Sequence, residues 1–312
     1  MQTLASIIAA AAPLIYAAIG ETIAEKAGVV NLSLDGSILL SAMTGFAAAV
    51  ASGSVLVGFL AAIGVSVAIA AIVAFSGIEL RLNQIAVGFV LFLLARQLAL
   101  FLGNSYVGRS GPKVPAYDVP LLSDLPFFGT VLFSHNLSVY GAYVVVIVAY
   151  VFIYWTRPGL VLRGLGERPA AAFARGTPVN RLRYVYTLVG GALVGVAGAA
   201  VSLDQIAGWR ENLTTNLGWI ALACVIFGGW HPVRVAGACL IYRGLLYVAG
   251  ELQDTFPELV QVLTQLPFVL MILMLTLIHT RWFRHFGDRY PRWRNVLGSN
   301  PPAALGTAFH RE

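Results

Sequence analysis

The sequence predicts an all-α polytopic membrane protein: a helical bundle of about nine membrane segments (roughly eight to ten), some of them broken or re-entrant. Three observations predict it. Hydrophobic residues make up 58% of the 312 positions and charged residues only 11%, whereas a soluble domain carries about 25% charged residues, so a water-exposed surface cannot be covered. The mean hydropathy is +0.80, and the apolar residues fall in long runs of the ~20-residue length a spanning helix needs, without the ~10-residue alternation of a membrane barrel. The net charge of +6, from 20 Lys and Arg against 14 Asp and Glu, is gathered in particular loops, as in membrane proteins with basic cytoplasmic faces. An ordinary cytosolic enzyme, a disordered regulator and a nucleic-acid binder are excluded.

In chain order, the first segment is Leu4–Gly20. No basic residue precedes Lys26, whereas a signal peptide opens with them, so this helix is expected to be retained. Leu34–Ala51, Val55–Phe75 and Ile85–Leu102 follow as predominantly apolar runs. The stretch Gly103–Asn136 contains Pro112, Pro115, Pro120 and Pro126 and cannot span; it reads as an external crossover with room for a short interfacial helix. Leu137–Trp155 and Tyr184–Leu203 are the next spans. The latter contains Gly191, Gly195 and Gly198, small residues that let membrane helices pack closely. Leu217–Trp230 is too short for a comfortable span and suits a broken or re-entrant helix. Val235–Gly250 and Leu259–Thr280 complete the set.

Orientation follows from Lys and Arg in short loops. Six arginines lie in Arg157–Arg183 and six more from Arg281 onward, so both stretches are placed in the cytoplasm. Alternation then puts Lys26, Arg81 and Arg234 inside as well, provided that Leu217–Trp230 crosses. The domains are 1–286, a membrane domain whose cytoplasmic loop spans 156–183, and 287–312, a cytoplasmic Arg-rich tail expected to be partly disordered because it is polar and holds Pro291, Pro301 and Pro302.

Several residues break the apolar pattern. Asn31-Leu-Ser-Leu-Asp35-Gly36 interrupts the first two segments. Asn31 or Ser33 can cap the following helix, with Asp35 favouring its first-turn dipole; the alternative is a discontinuous helix lining a solute cavity. Asn83 and Gln84 head the fourth segment, as caps or facing a polar path. Arg96 and Arg243 lie inside predicted spans, where an ionisable group is costly and functional by default, with snorkelling or a packing ion pair as the other readings. Cys224 and Cys239 sit in apolar surroundings and read as inert core residues. No phosphate-binding loop, HExxH or GxSxG is present, and the five histidines have no ligand spacing. No catalytic residue, metal site or cofactor is therefore expected. In the cytoplasmic loop, Pro169 can open a short helix at its first turn and Gly176 can close it, flanked by Arg163, Gly166, Glu167 and Arg168 and carrying Ala171 and Ala172.

Four motifs resemble those of ABC-importer permeases of the branched-chain amino acid and ribose permease superfamily. They are Gly20-Glu21…Glu25-Lys26-Ala-Gly28-Val-Val-Asn31-Leu-Ser-Leu-Asp35-Gly36, Asn83-Gln-Ile-Ala-Val-Gly88, the loop Arg163–Gly176, and Gly218-Trp-Ile-Ala-Leu-Ala…Phe227-Gly-Gly-Trp-His-Pro232. The resemblance runs from about Pro13 to Thr280 and is closest to the shorter of two paired permeases in nucleoside and simple-sugar importers. Asp35 stands where the family usually has Glu, and Arg96, Arg243 and the Arg-rich tail depart from its pattern. The resemblance implies a translocation subunit in a bacterial cytoplasmic (inner) membrane. Its implied partners are a second, paralogous permease, a cytoplasmic ABC ATPase that binds ATP, an extracytoplasmic solute-binding protein or lipoprotein, and membrane lipid, with no nucleic acid. It makes the 163–176 loop the coupling loop, and Asn31, Asp35, Asn83 and Gln84, with Arg96 and Arg243, the candidates for the translocation path. The expected solute is a nucleoside, with riboflavin or a simple sugar as alternatives. Two other classes compete: an ion-coupled secondary transporter, for which Asp35 is the only evident intramembrane acid, and an assembly subunit without a solute path, against which the two chain breaks argue.

Overall fold

The computed structural model describes residues 2–118, 128–211, 213–255 and 300–309, and the single positions 258, 269, 272, 273 and 276. Seven described helices are long and apolar enough to cross a membrane. The expected segment Leu259–Thr280 lies, but for four positions, outside the described residues.

The first helix, α1 (Gln2–Lys26), is longer than the expected Leu4–Gly20. Glu21 and Glu25 end the apolar run in the sequence but not the helix, because both carboxyls find partners in the bundle. Every residue from Ala11 to Glu25 is buried, so α1 is a central post rather than a peripheral anchor. Beside it stand α2 (Leu34–Ser52) and α9 (Val179–Ala199), which continues through a π turn, Ala200–Gln205. Glycines set the spacing of these helices. A Cβ at Gly190 would lie 2.6 Å from the Gly20 carbonyl oxygen, one at Gly195 2.6 Å from the Ile63 Cα, and one at Gly198 2.6 Å from the Ile38 carbonyl. Each glycine thus brings α9 against a different neighbour, which is how small residues drive close packing in lipid.

Around this core stand α3 (Val55–Ile78), α4 (Gln84–Gly103), α6 (Leu137–Trp155) and α11 (Pro232–Thr255). Their outer faces expose Leu56, Leu60, Phe89, Leu94, Phe101 and Val148, an apolar surface far larger than a water-soluble monomer shows. The crossover after α4 holds more structure than one interfacial helix. Besides α5 (Phe128–Leu132), β1 (Ala116–Asp118) and β2 (Ser134–Asn136) pair antiparallel, with Tyr117 opposite His135.

The seventh segment is α10 (Leu217–Phe227), followed by a turn in which Gly229 and Trp230 take φ of 61° and 54°. Eleven residues at 1.5 Å each reach about 16 Å, half the ~30 Å hydrocarbon core. The described chain before α10, 206–211 and 213–216, is irregular. It starts beside Gly103 at the end of α4, where Trp209 packs, and ends at the head of α10.

Where Arg157–Arg183 was expected to hold one short helix, the chain forms two: α7 (Arg157–Glu167) and α8 (Pro169–Ala174). Thr156 caps α7 by accepting the Gly159 N–H at 3.1 Å. Of the tail expected to be partly disordered, 287–299 and 310–312 lie outside the described residues and 300–309 are described. The described segment lies against α1, α7 and α9 at the arginine-rich end, because its backbone donors meet the carbonyls of Gly166 and Gly28.

Candidate functional site

The two chain breaks singled out in the sequence touch. α1 ends at Lys26, and Gly28, at φ 91°, lets Val29 N–H reach back to the Ala24 carbonyl while its own N–H meets that of Glu25, a left-handed helix stop. The next residues run without helical bonding, and side chains from other elements take up their donors. Gln84 Oε1 accepts from Val30 N at 2.9 Å, and Glu21 Oε1 accepts from Asn31 N at 3.1 Å. Asn31 Oδ1 accepts from the Ser33 amide at 3.1 Å and from its hydroxyl at 2.5 Å. Ser33 itself makes no side-chain cap to α2; its hydroxyl is committed to Asn31 and Ser37. Asp35, in the first turn of α2, sends Oδ1 across to the Gly218 amide at 3.0 Å. It thus caps a helix other than its own, at a turn whose N–H groups have no intrahelical partner. Gly218 is required there: a Cβ would collide with the backbone of Asp35.

Asn83 caps α4, accepting from Ile85 N at 3.0 Å and Ala86 N at 3.2 Å, and is exposed. Gln84 is buried and ties α4 to the first break. Arg96 projects from the outer face of α4, exposed, within electrostatic range of Asp35. Asn31, Asp35 and Gln84 are therefore brought together, Asn83 flanks them, Arg96 reaches Asp35 only through its charge, and Arg243 stands apart. Sequence reasoning passed over Glu21, Glu25 and Trp230. Glu21 is 1% and Glu25 5% exposed, one helical turn apart, and Trp230 Nε1 donates to Glu25 Oε2. The available signal was the i, i+4 carboxylate pair directly after an apolar run.

A cavity of about 340 Å³ lies beside the head of α10, lined by Gln205, Thr214, Thr215 and Asn216 on one side and Tyr242, Arg243 and Leu246 of α11 on the other. Arg243 is eleven residues from the start of α11, about 16 Å along its axis, near the middle of that helix. Its buried Nε has no hydrogen-bond partner among the described residues. Cys224 and Cys239 are free and buried against each other, between α10 and α11. Gln205, at the cavity wall, is anchored to α1: its amide donates to the carbonyls of Ala9 and Ala10 at 3.2 and 3.1 Å. Pro13 supplies no N–H to the Ala9 carbonyl, so Gln205 fills a vacancy that Pro13 creates.

At the arginine-rich end, Pro169 opens α8 and Gly176, at φ 83°, closes it, its N–H bonded to the Phe173 carbonyl at 2.8 Å. Glu167, Arg168, Ala171 and Phe173 are exposed, Ala172 packs inward, and Gly166 is buried against the Lys26 carbonyl. Arg163 lies over the Tyr154 ring at 5.3 Å, Lys26 at 5.9 Å, and His231 stacks on the same ring at 4.9 Å. His231 lies in the turn between α10 and α11. Burial, then the charges of Arg234 and Lys26, hold its imidazole pKa below the ordinary histidine value.

Residues 3–275 match the family described as branched-chain amino acid transport system, permease component. A putative glucose ABC transporter permease protein of Haloferax volcanii is 36% identical over 77% of this chain and 74% of its own length. The guanosine ABC transporter permease protein of Bacillus subtilis is 30% identical and the nucleoside ABC transporter permease protein of Lactococcus lactis 29%, each over 85% of this chain and 88% of its own. No solved structure matches. The apolar helices, the paired breaks and the match over nearly the whole described bundle converge: this chain is a multi-pass membrane permease and belongs to the branched-chain amino acid transport system permease family.

Proposed function

We propose that this chain is one translocation subunit of an ATP-driven ABC importer in the cytoplasmic membrane, moving a small polar solute, with a nucleoside as the first candidate. The observation that carries this reading is the half-helix α10, its head held by Asp35 and opening beside a cavity lined in part by Thr214, Asn216 and Arg243. Irregular backbone within a membrane bundle is tolerated where it is buried or lines a solute space. In this reading Arg243 and the Thr214–Asn216 stretch face the solute. Asn31, Asp35, Asn83 and Gln84 hold the breaks that shape the path, and the exposed Arg96 faces the second permease. The arginine-rich end is cytoplasmic, and α8, with Arg163, Gly166, Glu167, Arg168, Pro169, Ala171, Ala172 and Gly176 in and around it, receives the motion of the ATPase. The partners are a paralogous permease, that ATPase, which binds the ATP, and an extracytoplasmic solute-binding protein or lipoprotein. The chain itself uses no cofactor.

The guanosine and nucleoside permeases among its relatives support a nucleoside, and the 36% identity to a putative glucose permease supports a sugar as the second reading. Family membership leaves the ion-coupled alternative without a positive argument, although Glu21 and Glu25 add two buried acids that the sequence reading had not weighed. Calorimetry of the cognate solute-binding protein against guanosine, other nucleosides, riboflavin and glucose tests the solute. Nucleoside binding with no response to glucose is expected; glucose binding alone reverses the order of the two readings.

A further inference from the structure

α8 has six residues and buries none of them. A helix so short has no stability of its own in water, so its pose must come from what it is fastened to. Part of that fastening is a segment that lies beyond the family match, which ends at residue 275. The Ala304 N–H donates to the Gly166 carbonyl at 2.7 Å, just before α8 begins, and Pro302 packs on Gly166. The Gly306 N–H donates to the Gly28 carbonyl at 3.1 Å, at the end of α1. Arg183 Nη1 donates to the Thr307 carbonyl at 2.9 Å. Phe309 meets the Phe173 ring of α8 with centroids 5.5 Å apart.

Arg183 explains why the segment settles there. Its side chain is 1% exposed, and its Nε and Nη2 have no partner among the described residues. A buried guanidinium needs hydrogen-bond acceptors, and among the described residues it is the Thr307 carbonyl that supplies one. The segment therefore ties α1, α7, α8 and α9 into one end-piece. Around it Arg168, Arg175 and Arg181 are exposed, with Phe173 among them, a basic rim around an apolar knob. That surface fits an acidic, apolar-floored groove.

We propose that residues 300–309 are a built-in brace that fixes the pose in which α8 meets the ATPase, with Arg183 and Gly166 as positioning residues and Phe309 joining Phe173 on the contact face. This rests on the reading of α8 as the coupling helix, so the test separates the two. The complete complex, with second permease, ATPase and solute-binding protein in lipid nanodiscs, is compared as wild type, with residues 300–312 removed, as Phe309→Ala, as Phe309→Tyr, and as Ala171→Glu with Ala172→Glu. ATPase affinity and the ratio of solute moved to ATP hydrolysed are measured. Removal of 300–312 should weaken ATPase binding at least tenfold and lower the ratio. Phe309→Ala should weaken binding about three- to tenfold, the scale of one aromatic pair, and Phe309→Tyr should restore it. If the truncated chain does not assemble, the Phe309 pair decides: equal affinity for Ala and Tyr at wild-type level overturns the proposal. Wild-type affinity and ratio in the truncated chain also overturn it. If the double Glu variant still loses the ATPase in that case, α8 remains the coupling helix and only the brace is wrong. If the double Glu variant keeps the ATPase as well, both readings fall.

Discussion

Asp35 joins the two chain breaks through one hydrogen bond, to the Gly218 amide at the head of α10. Asp35→Asn keeps an acceptor at that position and should retain most uptake. Asp35→Leu removes it and leaves a buried N–H unsatisfied, a cost of about 1–3 kcal/mol, so uptake should fall well below what the change in abundance explains. Full uptake by the Leu variant at normal abundance would reduce Asp35 to a dispensable cap. His231 permits a pH prediction. Its folded-state pKa is depressed by burial and by Arg234 and Lys26. Its contribution to stability is then fully present above the unfolded value, about 6.5, and is lost as pH falls through the folded value. The thermal midpoint should drop on acidification from about pH 7, and His231→Gln should flatten that part of the slope; an unchanged slope would assign it to other groups. Asn31, Asp35 and Gln84 were legible as pattern breaks, because polar residues stand out in an apolar run. Their partners were not, since Asp35 and Gly218 are 183 positions apart and one sequence carries no signal of that contact.

At the scale of elements, the apolar runs of α2, α3, α4 and α6 gave helix limits within three residues of those observed, because bilayer thickness fixes how long such a run must be. The runs misled where a buried polar group sits inside a helix. Glu21 and Glu25 shortened α1 on paper, and the six arginines of 157–183 concealed α7, which is amphipathic rather than apolar. The limits of α8 were readable from Pro169 and Gly176, since both act through their own backbone. In α11, at the cavity wall, Arg243 gives a direct expectation. Arg243→Met preserves length and apolar packing but removes the buried cation, and should lower uptake of the polar solute while ATPase recruitment stays as in the wild type. Uptake at the wild-type rate would take Arg243 out of the path.

For the molecule as a whole, the central claim is directional: the arginine-rich end faces the cytoplasm and receives an ATPase, while the cavity beside α10 passes a solute. Cys224 and Cys239 are both buried and can be replaced to give a thiol-free background. A cysteine at Ala171 should then label from the cytoplasm and one at Tyr117 from outside; labelling of both from one face would break the segment order on which the orientation rests. The measurement that tests the account most directly is uptake of labelled guanosine by proteoliposomes containing this chain, its paralogous permease, the ATPase and the solute-binding protein. Uptake should require ATP, persist when ion gradients are collapsed, and disappear in the Ala171→Glu, Ala172→Glu chain. Uptake that ignores ATP and stops when an ion gradient is removed would contradict the account.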